Sequence, residues 1–115
     1  MNFDEGEHIT LLRNSLRSFL DANMPREKVR ALEEAADYPR DIFARLCELG
    51  VTGLTVPEEY GGAGVDVIAA IAVIEELAQH GTSLAGPFIH AAFYGGMNMV
   101  ENGNEEQKRA FLPKL

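Results

Sequence analysis

An all-α fold is the class this sequence predicts: an orthogonal or up-down bundle of five to six helices, with an irregular Gly/Pro loop at about 51–64. Three observations predict it. Apolar residues recur at helical period over most of the chain. Proline, glycine and asparagine stand where those periodic stretches end. The one stretch without that period, 51–64, holds four of the eleven glycines together with Pro57, and reads as a crossing loop.

The elements follow in order. Ile9, Leu12, Leu16, Phe19 and Leu20 line one stripe of a first helix over 5–21, stopped by Asn23-Met24-Pro25. Pro25 then opens a short second helix carrying Val29, Leu32 and Ala36 on its inner side. Tyr38-Pro39 marks a new start, because proline disfavours the helical region for the residue before it. The third helix turns Ile42, Phe43, Leu46 and Leu49 inward, and Gly50 suits a left-handed stop. Beyond the loop a fourth helix runs over 66–79, with Val67, Ile68, Ile71, Ile74, Leu77 and Ala78 apolar. Ala69, Ala70, Ala72 and Val73 fill most of its other faces, so it is expected to be central and nearly surrounded by protein. A helical stretch over 84–101 is interrupted by Gly95-Gly96. Asn104 caps the last helix and Gln107 closes a capping box, with Leu112-Pro113 as the end.

Composition narrows the class of function. The 115 residues, 46% hydrophobic and 24% charged, suit an ordinary globular domain rather than a disordered tail. Surface scaling gives roughly 6,200 Å² folded against about 18,000 Å² unfolded, enough to bury one core. A net charge of −8 argues against nucleic acid or an anionic membrane as partner. No Lys or Arg lies between Arg45 and Lys108, where nine acidic residues fall. The single cysteine, Cys47, cannot form an internal disulfide, the acidic start lacks a signal-peptide layout, and the longest apolar run, 67–74, is too short to span a membrane. A cytoplasmic protein is the expectation.

Residue chemistry by itself yields no catalytic constellation. Gly62-Ala63-Gly64 resembles the front of a dinucleotide turn, but the third glycine and the flanking strands are missing. The acidic doublets at 33–34, 58–59, 75–76 and 105–106 point their carboxylates apart, so none forms a shared dyad. Glu75-Glu76 is the exception worth following, because one carboxylate on a buried helix needs a partner. His8, His80 and His90 are too far apart in sequence to present a metal pair on one helix. His8 and His80 read as surface or helix-end residues, and His90 as a core or interface histidine with a satisfied hydrogen bond. Cys47 reads as a packed thiol, and Ser83 has neither a glycine elbow nor a neighbouring base.

Three ordered blocks carry a family resemblance. Leu49-Gly50-Val51-Thr52-Gly53-Leu54-Thr55-Val56-Pro57-Glu58-Glu59-Tyr60-Gly61-Gly62-Ala63-Gly64 resembles the N-terminal signature of acyl-CoA dehydrogenases. Ile74-Glu75-Glu76-Leu77-Ala78 resembles their E-E-L-A helix, and Gly103-Asn104-Glu105-Glu106-Gln107-Lys108 with Phe111-Leu112-Pro113-Lys114-Leu115 resembles their closing helix. Pro39, Leu46 and Leu49-Gly50 suit the family's third helix.

The resemblance implies that residues 1–115 form the N-terminal helical domain of a three-domain, FAD-dependent enzyme of fatty acid metabolism. Such an enzyme removes hydrogens from the α and β carbons of an acyl-CoA, using a glutamate base and flavin N5. Both the base and the main FAD segments belong to the other two domains, so no catalytic, cofactor-binding or metal residue is expected here and the chain alone is expected to be inactive. Expected partners are the acyl-CoA substrate and the remaining domains or a partner subunit, within a parent homo-oligomer, tetramer or dimer. Apolar faces on 67–74 and 88–99 are expected to be exposed toward them. A split or heteromeric flavoenzyme and a related oxidase of the same architecture are the alternative readings. By position, the acyl-pocket wall would comprise Ser83, Gly86, Pro87, His90 and Tyr94. That combination departs from what a plain straight-chain pocket calls for, and points to a substrate other than a long saturated chain.

Overall fold

Residues 2–115 are described by the structure, a computed structural model of the chain. Helix α1 spans Glu7–Asn23, α2 Arg26–Glu34 and α3 Arg40–Glu48. The loop that follows contains two short 3-10 turns, Val51–Gly53 and Glu58–Tyr60. Helix α4 is Val67–Gln79, and α5, Thr82–Ile89, passes directly into a π-helix, His90–Met97, and on into α6, Asn98–Asn102. Helix α7, Glu105–Phe111, ends in a 3-10 turn, Leu112–Lys114. With α5, the π segment and α6 counted as one continuous rod, six helical rods stand where five to six were expected, and no strand occurs among the described residues.

The main core is built where α1, α3, α4 and α5 meet. Leu16 and Leu20 of α1, and Met24 just past its end, pack with Ile42 and Leu46, Val73 and Leu77, and Leu84 and Phe88. Each large apolar side chain fully buried here is worth about 1.5–3 kcal/mol relative to exposure. A satellite cluster joins Ile9 to Ala69 and Ala72, where small alanines let α1 lie close against α4. A third cluster, Val56, Tyr60 and Leu112, pins the loop to the last turn.

Several boundaries and caps match the sequence expectation. Gly50 has a left-handed φ of +80°, and the Asn104–Gln107 capping box is formed in both directions. The loop depends on Gly62: a Cβ there would fall 1.9 Å from the Val56 carbonyl oxygen, closer than any side chain tolerates.

Other expectations are corrected. Helix α1 starts and ends two residues later than 5–21: Gly6 is still extended, and buried Met24 donates its backbone N–H to the Leu20 carbonyl at the helix end. Helix α2 stops at Glu34, which leaves Ala36 exposed with a positive φ of 51° instead of on the inner stripe. Leu49 lies one residue past the end of α3 and is 61% exposed, and Cys47 is likewise exposed rather than packed.

Helix α4 is not surrounded. Chiefly α1 and α5 cover it, so Ala69, Ala70, Ala72, Val73 and Leu77 are buried while Val67, Ile68 and Ile71 face outward. Those three bear out the expected exposed apolar face on 67–74. On 88–99 the expectation holds only in part, since Phe88 and Ala92 are buried and Tyr94 is exposed. The accessible surface, 7104 Å², exceeds the compact-protein scaling value accordingly.

Finally, Gly95-Gly96 does not interrupt the helix. It accommodates a change of helical register. The Thr55 hydroxyl donates to the Ala92 carbonyl, and a Cβ on Gly96 would lie 3.0 Å from that same hydroxyl oxygen. The loop therefore presses against the helix backbone at the point where it is wound in π form.

Candidate functional site

The residues proposed as a pocket wall stand along the rod formed by α5 and the π segment. Pro87 sits inside α5 and has no N–H to give the carbonyl one turn back. The helix continues because its flanks are held by the core through Leu84 and Phe88. One turn on, the His90 backbone N–H reaches the Gly86 and Pro87 carbonyls. Its side-chain Nδ1 also lies 2.8 Å from the Gly86 carbonyl oxygen. A carbonyl only accepts, so Nδ1 carries the proton and donates.

His90 is exposed, contrary to its reading as a core histidine, although the hydrogen bond expected of it is present. Its ring meets Tyr94 edge-on, centroids 5.1 Å apart at 84°, an arrangement aromatic rings favour. Tyr94 is itself 65% exposed. The structure thus brings Gly86, His90 and Tyr94 together on one outward face.

Ser83 is not part of that group. Its hydroxyl lies near Gly81, on the side of α2's Val29. It is buried without a hydrogen-bond partner. No cavity among those described is lined by the five residues. A cavity of about 410 Å³ lies elsewhere, bordered by Asp21, Met24, Val29, His80 and Gly81. Another of about 470 Å³ lies under the N-terminal arm beside Asp4, Glu5, His8 and Asp66.

A second polar cluster was only half legible in sequence. Glu76 of α4 is 1% exposed and accepts from Arg17 Nη2 at 2.7 Å and Nε at 3.1 Å. Arg13 adds a longer contact to Glu76 at 3.4 Å, and bridges outward to Glu75 and Glu5 at 2.5 Å each. The Arg17 hydrogen bond, more than any other influence, holds the Glu76 carboxyl below the usual carboxylate range against the opposing pull of burial. Glu75-Glu76 signalled the need for a partner. Arg13 and Arg17, spaced one turn apart on α1, were the missing signal.

The remaining histidines are held at helix ends. His8 Nε2 lies 3.1 Å from Asp66, whose carboxylate also caps α4 by accepting from the Ala69 N–H. His80 lies between the Glu76 carbonyl and Asp21. Among the described residues no three His, Cys, Asp or Glu converge as a metal site would need.

Comparison with known proteins decides the family. The sequence profile described as "Acyl-CoA dehydrogenase, N-terminal domain" matches residues 6–115. The chain belongs to the acyl-CoA dehydrogenase family. Among similar proteins, the probable acyl-CoA dehydrogenase fadE25 of Mycobacterium leprae is 35% identical over 89% of this chain and 27% of its own length. Benzylmalonyl-CoA dehydrogenase of Aromatoleum aromaticum is 30% identical, covering 100% of this chain and 30% of that protein. The mitochondrial isovaleryl-CoA dehydrogenase of Pongo abelii is 29% identical over 90% of the chain and 25% of its own length. The chain thus spans less than a third of these acyl-CoA dehydrogenases, and in sequence corresponds to their N-terminal domain. No helix among the described residues is long and apolar enough to cross a membrane.

Proposed function

We propose that this chain is the N-terminal helical domain, over residues 1–115, of a flavin-dependent acyl-CoA dehydrogenase acting on the α and β carbons of an acyl-CoA thioester. The observation that carries the proposal is the family match over 6–115. In this reading Gly86, Pro87, His90 and Tyr94 form part of the wall around the acyl group, and Ser83 stands at the entry of that helix. The outward face holding Gly86, His90 and Tyr94 supports the assignment, because it presents polar groups and open space where no other part of the chain covers them.

FAD does not fit these residues by themselves. The cavity of about 470 Å³ is bordered by Asp4, Glu5 and Asp66, carboxylates that repel a pyrophosphate. No Lys or Arg lies between Arg45 and Lys108 to meet one. Flavin, catalytic base and contacts to the CoA phosphates therefore fall to segments outside these residues. Val67, Ile68 and Ile71 are exposed apolar side chains suited to packing against such segments, in the same polypeptide or in a partner subunit, within a homo-oligomeric enzyme. A cytoplasmic setting belongs to the same proposal, since Cys47 is an exposed, unpaired thiol.

The test uses the full-length protein that carries this chain, loaded with flavin and offered a panel of acyl-CoA thioesters with an artificial electron acceptor. Bleaching of the flavin absorbance and appearance of a 2-enoyl-CoA are expected. A flavin-loaded protein that neither bleaches nor yields enoyl product with any thioester overturns the reading. The 115-residue chain alone is expected to stay colourless and inactive.

A further inference from the structure

The side chains on the α5 face have a chemical polarity that can be read from their hydrogen bonds. His90 Nδ1 gives its proton to the Gly86 carbonyl at 2.8 Å. In the neutral imidazole this leaves a lone pair on Nε2, so the outward-facing nitrogen is an acceptor. The ring is held in that pose twice, by the Gly86 carbonyl and by the edge-on contact with Tyr94 at 5.1 Å. Among the described residues neither Nε2 of His90 nor the Tyr94 hydroxyl has a hydrogen-bond partner.

Space accompanies the acceptor. A Cβ built on Gly86, one turn before His90, meets no atom within 4 Å beyond its chain neighbours and the backbone of its own helix. Packing inside this chain therefore does not require a glycine there, apart from easing the contact with the ring of Pro87. What remains is a fixed acceptor, a hydroxyl one turn further along, and a bare stretch of backbone before them. A straight hydrocarbon leaves such an acceptor without a partner, which is unfavourable once water is excluded.

We propose that this face selects an acyl-CoA whose acyl group bears a hydroxyl: Nε2 of His90 accepts the substrate hydroxyl proton in a hydrogen bond, Tyr94 stands beside it, and the gap over Gly86 admits the substituent. His90 is a specificity-determining residue in this scheme and moves no proton in the reaction. The inference rests on the pocket-wall reading given above.

The experiment compares pairs of acyl-CoA thioesters of equal chain length, saturated and hydroxylated away from the α and β carbons, in the flavin-loaded full-length protein. The unsubstituted enzyme is expected to favour the hydroxylated member in kcat/KM. His90→Phe keeps the ring and its contact with Tyr94 but loses the acceptor, and should lower the ratio of kcat/KM for the hydroxylated over the saturated substrate about tenfold. His90→Gln, whose amide oxygen restores an acceptor, should recover part of the loss. Preference for the saturated substrate with a neutral His90→Phe overturns the inference and leaves the dehydrogenase reading intact. Equal loss on both substrates also overturns it, since His90 then acts structurally. Failure to turn over any thioester overturns the dehydrogenase reading itself, and this inference with it.

Discussion

The α1–α4 seam and the outer face of α5 both carry polar side chains on helices, yet they are finished to different degrees. In the seam, Glu76 is buried and every near neighbour answers it: Arg17 bonds it twice and Arg13 reaches it while joining Glu75 and Glu5. Along α5 and the π segment, only one nitrogen of His90 is engaged, Tyr94 is mostly exposed, and nothing fills the space over Gly86. A saturated cluster has no bonding capacity left for a ligand. A half-saturated one held rigidly in place does, and the contrast separates residues that hold the fold from residues that meet something outside it.

Breaking the seam should have the largest effect. Glu76→Ala strands the Arg17 guanidinium against α4, while Arg13 keeps Glu5 and Glu75, and is expected to destabilise the chain by about 2–3 kcal/mol, below the range for a fully buried pair because Arg17 remains half exposed. Urea unfolding of the two proteins measures this, and a change under 0.5 kcal/mol would show the seam to be ornamental. Acid sharpens the same point. The folded-state pKa of Glu76 is depressed, so its contribution is complete above the ordinary carboxylate range and is lost as pH falls through the folded value. Glu76→Gln should flatten that acid-side slope. An unchanged slope would assign it to other carboxylates.

Smaller effects follow on the rod. Thr55→Val leaves the Ala92 carbonyl without its hydroxyl donor and should lose about 1–2 kcal/mol, with Thr55→Ser restoring most of it. Gly86→Ala should shift stability by less than about 1 kcal/mol, as better helix propensity and a tighter fit before Pro87 oppose each other. In the full-length enzyme the same methyl group should impair branched or substituted acyl groups more than slender ones. Least of all, His90→Phe should leave the unfolding midpoint within about 0.5 kcal/mol of the parent, as befits an exposed side chain. A large loss there would move His90 from the open face to the scaffold.

Local signals account for what was legible in the sequence. Asn104 and Gln107 close their capping box three residues apart, and Gly50 terminates its own helix, so no distant residue had to be known. The three family blocks likewise marked the chain from its residues alone. What was not legible depended on distant partners. Whether α4 is surrounded is decided by how many helices pack on it, and its apolar composition is the same either way. Within the π segment the Ala92 carbonyl is met by Thr55, 37 residues away, and sequence spacing carries no trace of that contact. At the candidate site, motif position brought Gly86, His90 and Tyr94 to notice, but the proton on Nδ1 followed only from the geometry.

The wide winding over His90–Met97 has a consequence for how the face bearing His90 and Tyr94 can change over evolutionary time. A π turn holds one more residue than an α turn spanning the same bonds, which makes it a natural place to gain or lose a single codon. Deleting one residue there would return the segment to α winding, re-aim the side chains within it and leave those of the flanking helix near their present angles. Such an event, confined to eight residues, would exchange the groups this face exposes while sparing the core beneath α5. The face bearing His90 and Tyr94 can thus be re-aimed in a single-residue step, with the scaffold that carries it left in register.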